Sequence, residues 1–461
     1  MRIFNRDHEQ LTFDNLLEEP ELDYSEKKDH SEKNEDWTLK KRRNTFPIQL
    51  VADFSQFINY LEHHQIRLTK TMEYISRKHL PSINEKLSVK SANATSYAQQ
   101  ENYPYIHFFY HLALSGHLIE KVSVESNQPK LKVTERWNMF KELTDAEQYF
   151  FLFETFWVDL NWTRLIHKSR NPIHQILPDI FTKLMDEKSG NYLDLGKNTL
   201  LANLTFQWNY FFLYFEWFGI WVCEKDLEST NHYGKKSYYF VKSVTLTSFG
   251  KKVIPILLTS RSLQAWNIPL RREHGEVNPI PGSKLPETQD RHLQKAHKNH
   301  SPQSFYQAFT GLFPQKDLQN TLPRVERKYT DGAHTFKVAF DKNSWCKIIL
   351  SSKNTMEDLH KVILKAFDFD DDHLYSFFMD GRKWSQDCIV SPYDDSGAPN
   401  AAEVTIGSVG LTNGRRFMYL FDFGDEWTFT VTVEKIQESD PEPVAPHITE
   451  KHGYGPEQYF Y

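Results

Sequence analysis

The sequence predicts a multidomain protein, with mainly α, winged-helix-like modules toward the N-terminus and a small α+β domain at the C-terminus. Its 461 residues are more than one ordinary core organises. Helical periodicity gives way to strand alternation twice before residue 271, and beyond residue 335 alternating strands dominate around a single helix. Apolar residues make up 39 %, charged residues 25 % and aromatics 15 %, so the cores rest heavily on Phe, Tyr and Trp. This composition excludes a disordered, collagenous or disulfide-scaffold chain. A net charge of −6 excludes a polycation that coats nucleic acid.

Residues 1–46 read as a flexible charged arm, dense in Glu, Asp, Lys and Arg and closing on Lys40, Lys41, Arg42 and Arg43. The first helical module spans 47–170. Leu50, Val51, Phe54, Phe57, Ile58 and Leu61 recur at i, i+3, i+4 and i+7 and predict an amphipathic helix. Helices around 82–87 and 105–118 follow. A strand at 118–124, a turn at 126–129 and a return strand at 131–133 make a wing. The second module, 171–271, repeats the order: a helical run at 204–218, a strand at 220–222, a polar loop and a strand at 238–244. Each hairpin closes on a matching phrase. Val133-Thr134-x-x-Trp137-x-x-Phe140 and Leu246-Thr247-x-x-Gly250-x-x-Val253 lie 113 residues apart, and the threonine of each is an expected N-cap.

A winged helix that reads DNA carries basic residues on its wing. Here Lys121, Lys130 and Lys132 lie on the first wing and Lys235 and Lys236 on the second, diluted by Glu120, Glu125, Glu224 and Asp226. DNA contact and plain protein contact are both consistent with that pattern. The apolar stretch at 204–223 contains Gln207, Asn209 and Glu216 and is expected to be a buried aromatic helix, so no membrane partner is expected. Cys223, Cys346 and Cys388 form no CxxC pair, and the N-terminus lacks the apolar stretch of a signal peptide; a cytoplasmic protein is the expectation. Residues 272–302 read as a Pro- and Gly-interrupted linker in which His292, His297 and His300 sit without a fixed element to hold them.

Residues 303–461 hold the C-terminal domain. Strands are predicted at 334–340 and 345–350. The phrase Thr355-Met356-Glu357-Asp358 is a capping box opening a helix whose Leu359, Ile363, Ala366 and Phe367 share a face. A strand at 373–379 runs into a turn at Asp380-Gly381. Asn413-Gly414 precedes another strand at 417–421, and Asp422-Phe423-Gly424-Asp425 turns the chain into a strand at 427–433.

Three ordered blocks in this domain resemble the plasmid pRiA4b ORF-3-like family, also known as an insertion-element passenger protein. They are Asp358-Leu359-His360; Ala366-Phe367-Asp368-Phe369-Asp370-x-x-His373-Leu374-x-x-Phe377; and Tyr419-x-Phe421-Asp422-Phe423-Gly424-Asp425-x-Trp427. Gly455-Pro456-Glu457-Gln458-Tyr459 is similar to its C-terminal Pro-Glu segment. Phe369 stands where the family usually has Trp, Phe421 replaces a frequent Tyr, and the Cys-Gly-Gly ending is absent. The resemblance implies a small α+β fold and an association with mobile elements, and it assigns no reaction.

Within the domain, His360, His373, Asp422, Asp425 and Trp427 form the candidate functional cluster. Two imidazoles and two carboxylates are ordinary ligands for a divalent metal, and the same acids also suit a turn that bonds its own backbone. From Asp331 to Lys435 there are 17 acidic and 11 basic residues, which accounts for the whole net charge and argues against this surface gripping phosphate. Asp-Phe-Gly lacks the phosphate loop and catalytic loop of a kinase. The expected function is a non-catalytic adaptor or DNA-associated accessory protein, linked to mobile elements or host defence, with a protein partner at the C-terminal domain. The alternative is a metal-dependent hydrolase or nuclease using the His/Asp cluster. No cofactor is specified by the sequence.

Overall fold

A computed structural model describes residues 47–458, except 71, 92–96, 123–128, 163–164, 166–172, 187–189, 196–209, 230–239, 277, 285–303, 314–316, 326–328, 386, 439–444 and 457. The basic tetrad at 40–43, Lys235, Lys236 and the three linker histidines lie outside the described residues. The chain divides into two compact units. One comprises Met1–Leu263 and Lys298–Leu322, the other Gln264–His297 and Pro323–Tyr461.

The first unit begins with α1 (Ile48–His63), whose predicted stripe is buried: Leu50, Val51, Phe54, Phe57, Ile58 and Leu61. Next come α2 (Leu80–Lys86) and α3 (Pro104–Ser115), the latter started by proline at its first position, where a missing N–H costs nothing. Strands β1 (Ile119–Val122) and β2 (Lys130–Val133) pair antiparallel, with Ile119 opposite Val133. The segment after α1 joins the other edge of β2: Arg67 bridges Lys130, and the Leu131 N–H donates to the Ile66 carbonyl at 3.0 Å. After α4 (Arg136–Lys141), α5 (Asp145–Glu154) opens on a Thr144–Glu147 capping box and runs into a π-helical turn, Thr155–Asp159. The second half repeats the plan with α6 (Ile173–Met185), β3 (Tyr192–Asp194), α7 (Phe211–Trp217), β4 (Trp221–Lys225), β5 (Val241–Leu246) and α8 (Ser248–Leu258). Its sheet order is β3-β5-β4, so in both halves the last strand lies between the other two.

The matching threonines occupy equivalent places. The Thr134 N–H donates to the Leu118 carbonyl (3.0 Å) and its hydroxyl to the His117 carbonyl (2.7 Å). Thr247 does the same toward Ile220 (3.2 Å) and Gly219 (2.6 Å). Only Thr247 also caps a helix, accepting from the Gly250 N–H at 2.8 Å. The expected cap at Thr134 does not form, because α4 begins after Glu135 with no side-chain cap. Gly250 is a packing requirement, since a Cβ there would lie 1.9 Å from the Ile220 carbonyl oxygen.

Aromatic rings fill this unit. Phe108 stacks on Tyr214 at 5.0 Å and meets Trp217 at 5.4 Å, while Tyr105 meets Trp217 at 4.7 Å. The helices that precede the two hairpins, α3 and α7, are therefore packed against each other. A 3₁₀ segment, Phe305–Leu312, returns to this unit through Phe305 and Phe309 on Phe153 and Phe150. The Glu147 carboxylate then accepts from the Gln319 N–H (3.1 Å) and the Asn320 N–H (2.8 Å).

In the second unit a seven-stranded antiparallel sheet has the order β12-β7-β6-β11-β10-β8-β9. The strands are β6 (Ala333–Ala339), β7 (Trp345–Ser351), β8 (Tyr375–Phe378), β9 (Cys388–Val390), β10 (Arg416–Phe421), β11 (Trp427–Gln437) and β12 (His447–His452). One helix, α9 (Met356–Phe367), lies on it. The predicted capping box is present, with Thr355 accepting from the Asp358 N–H and Asp358 from the Thr355 N–H, and the helix stops at Asp368 in a left-handed conformation (φ 63°). Register aligns Tyr375, Phe421 and Trp427 in one row and Phe377, Tyr419 and Phe429 in the next, so one sheet face is aromatic under α9. Asp380-Gly381 turns the chain without closing a two-residue hairpin; residues 379–387 intervene before β9. The described part of the segment read as a linker wraps buried Arg271, which is paired with Glu276 at 2.7 Å and bonded to the carbonyls of Ala265 and Ile280.

Candidate functional site

His360 faces the sheet from α9 and is almost wholly buried (1 % exposed). Its ring lies flat on Tyr375, with centroids 3.6 Å apart and planes 11° apart. Nε2 is 3.0 Å from Asp371 Oδ1 and Nδ1 is 2.7 Å from the Tyr419 hydroxyl. Burial holds the imidazole below its ordinary pKa, with Asp371 opposing the shift. A carboxylate only accepts, so Nε2–H donates to Asp371 and Nδ1 accepts from the Tyr419 O–H. Burial also pushes the Tyr419 phenol well above its ordinary value, which keeps it a donor.

His373 lies two residues before β8. Its Nε2 lies 3.4 Å from Asp422 Oδ2 and 3.7 Å from Asp372 Oδ1. Asp422 sits at φ 56° after β10, its N–H donating to the Leu374 carbonyl. Its Oδ1 accepts from the Gly424 N–H (2.7 Å) and the Asp425 N–H (3.4 Å), and its carbonyl from the Glu426 N–H (2.7 Å). This is an aspartate turn that bonds its own backbone. Asp425 is exposed at the tip. Trp427 packs on Phe340 and Phe369, and its indole N–H is buried without a hydrogen-bond partner.

The two candidate histidines thus belong to separate groups, with Asp425 and Trp427 in neither. His373 joins Asp422, whereas His360 belongs with Asp371, Tyr375 and Tyr419; the rings of both histidines flank Phe421 at 6.0 and 6.2 Å. Among the described residues no group of three or more His, Cys, Asp or Glu side chains is arranged to hold a metal ion. Sequence reasoning missed Asp371, Tyr375 and Tyr419. The signal was available, because alternation puts Tyr375 and Tyr419 on the face that α9 covers. Gln458, from the late segment, ties the acidic run together by accepting from the Asp370 N–H (2.6 Å) and donating to Asp372 Oδ1 (3.0 Å).

Two of the described wing lysines are paired with acids. Lys121 pairs with Glu73 at 2.6 Å and Lys132 with Glu120 at 3.2 Å. Lys130 and Lys132 border an open groove of about 350 Å³ beside His63 and His64. Nine of the twelve residues of α3 are buried, as are Phe211, Phe212, Leu213, Tyr214, Phe215 and Trp217 of α7. Among the described residues no helix is long and apolar enough to cross a membrane.

Residues 335–458 match the family model described as plasmid pRiA4b ORF-3-like protein. No curated protein matches the chain. A solved structure of a protein of unknown function from Methanosarcina mazei Go1 is similar, at 23 % identity over 26 % of this chain and 69 % of its own, with a TM-score of 0.23.

Proposed function

We propose that this chain is a non-catalytic adaptor. In this reading its two wing-bearing modules, 47–170 and 171–271, are winged helices turned to protein contact, and its C-terminal domain docks a protein partner. The winged-helix reading is supported by the repeated order of helices and strands, with the last strand central in each sheet, and by the equivalent bonds of Thr134 and Thr247. The protein-contact reading is carried by one observation. The helices that a winged helix would insert into a DNA groove, α3 and α7, are buried against each other through Phe108, Tyr214 and Trp217. The metal-dependent alternative is not adopted, since His360 and His373 are engaged separately and two of the four ligands it needs serve as turn and core.

Fluorescence anisotropy with a labelled DNA duplex across a salt series tests this reading. The expected result is no specific binding and no steep salt dependence. Affinity that falls steeply with salt, and that Lys130→Glu or Lys132→Glu weakens, would restore the DNA-associated reading.

A further inference from the structure

The first wing has an open stretch of sheet edge. Ile119 faces Val133 across β1 and β2, and the Thr134 N–H donates to the Leu118 carbonyl, so the main-chain groups of Leu131 and Val133 point away from β1. The Leu131 N–H meets the Ile66 carbonyl. Residues 61–65 belong to the end of α1 and its exit, not to the sheet, and there the groove of about 350 Å³ opens. Among the described residues no main-chain group bonds the Leu131 carbonyl or the Val133 N–H, and both residues line the groove.

The groups beside this edge share one chemistry. Arg67 lies directly opposite Lys130, an arrangement of like charges that costs stability, and among the described residues neither is paired with an acid. Lys132, two residues on and therefore on the same face, pairs with Glu120 at 3.2 Å, an exposed contact of the kind that contributes little and yields readily. His63 and His64 also line the groove. Their Nδ1–H groups donate to the Asn59 and Tyr60 carbonyls at 2.7 and 2.8 Å, and His64 stacks on Tyr60 at 3.9 Å, so both rings are held. One acid, Glu62, is set against these cations. A phosphate chain supplies acceptors alone and would leave the Leu131 carbonyl unmet, whereas a peptide strand brings both N–H and C=O. We infer that this groove docks an acidic, extended segment of a protein partner, whose main chain bonds Leu131 and Val133 and whose carboxylates face Lys130 and Lys132. Side chains recur on one face of a strand every second residue, so acids at i and i+2 match the lysine spacing. The inference rests on the adaptor reading and adds the partner's chemistry to it.

The test uses the full chain and a fluorescein-labelled peptide of alternating glutamate and threonine, read by anisotropy. A peptide of alternating glutamine and threonine and a labelled DNA duplex are the further arms. The chain carries a net charge of −6, so general attraction works against the glutamate peptide. That peptide is expected to bind, and the glutamine version to bind about ten-fold more weakly. Lys130→Gln is expected to weaken binding about ten-fold and Lys132→Gln about three-fold, since Lys132 is shared with Glu120. Lys242→Gln, which alters an exposed lysine of β5 paired with Glu224, is expected to leave binding unchanged. Thermal unfolding of each variant confirms that it is folded. Equal binding of the two peptides would overturn the acidic partner, and equal binding by the wild type and Lys130→Gln would overturn the site. DNA that displaces the peptide, with an affinity that falls steeply with salt, would overturn this inference and the adaptor reading together. A chain that binds neither peptide nor DNA loses this site but keeps the adaptor reading, so the two failures are distinguishable.

Discussion

The two units anchor their aromatic cores with different polar groups, an aspartate in the first and a histidine in the second. In the first, Asp53 accepts from the Ser88 N–H, the Ser88 hydroxyl and the Tyr105 hydroxyl, and Tyr149 donates to the Phe218 carbonyl at 2.7 Å. Such bonds lock an aromatic core whose stability and shape are one property. In the second unit, the chain around His360 satisfies the imidazole fully and leaves the adjacent Tyr375 hydroxyl unmet. Each unit also buries polar atoms that lack a partner, Trp137 Nε1 in the first and the Tyr375 hydroxyl and Trp427 Nε1 in the second. The contrast teaches that the same aromatic packing can be pinned by a carboxylate or by an imidazole.

The largest expected effect breaks the first unit. Phe108→Ala removes a wholly buried ring from between α3 and α7 and is expected to cost about 3–5 kcal/mol, read as a lowered urea midpoint. Next, His360→Phe leaves the Tyr419 hydroxyl buried and unbonded and is expected to cost about 1–3 kcal/mol in the second unit. Tyr375→Phe reverses the sign. Deleting an orphan hydroxyl is expected to stabilise the unliganded chain by about 1 kcal/mol, and destabilisation would mean that the hydroxyl is already satisfied in solution. At the small end, Lys132→Ala removes an exposed pair with Glu120 and is expected to change stability by about 0–1 kcal/mol.

A pH series sharpens the same contrast. The folded pKa of His360 lies below its ordinary value of 6.5, so the unfolded chain binds the extra proton first as pH falls. The contribution is fully present above pH 6.5 and is lost as pH drops through the folded value. Urea midpoints measured on either side of that window are expected to fall on the acid side, and His360→Gln is expected to flatten the dependence.

Local signals were legible in the sequence. The Thr355–Asp358 capping box, the stripe of α1 and the alternation of β6 are written within a few residues and survive tertiary packing. What failed to show depended on partners far along the chain. Strand β12 is exposed at nearly every position, so no alternation announces it; β7, about 100 residues earlier, makes it a strand. Thr134 carries the same phrase as Thr247, yet its hydroxyl goes only to the His117 carbonyl. The candidate site was half readable. His360 and His373 stood out as chemistry, but their separation is set by which face of α9 and which end of β8 each occupies. Strand alternation could have placed Tyr419 beneath α9, whereas the Asp371 partner of His360 sits in the irregular segment after α9, where no periodicity marks it.

The grip of Glu147 on Gln319 and Asn320 has a consequence for synthesis on the ribosome. The first unit is completed by residues that follow 34 belonging to the second, so neither unit is continuous in the chain. At about 5–20 residues per second, a nascent N-terminal half must wait several seconds after Leu263 emerges before its closing segment is available. Over that interval Phe150 and Phe153 lack the rings of Phe305 and Phe309. A truncated transcript ending between the two halves would therefore yield a sticky, chaperone-dependent product in place of a free-standing domain.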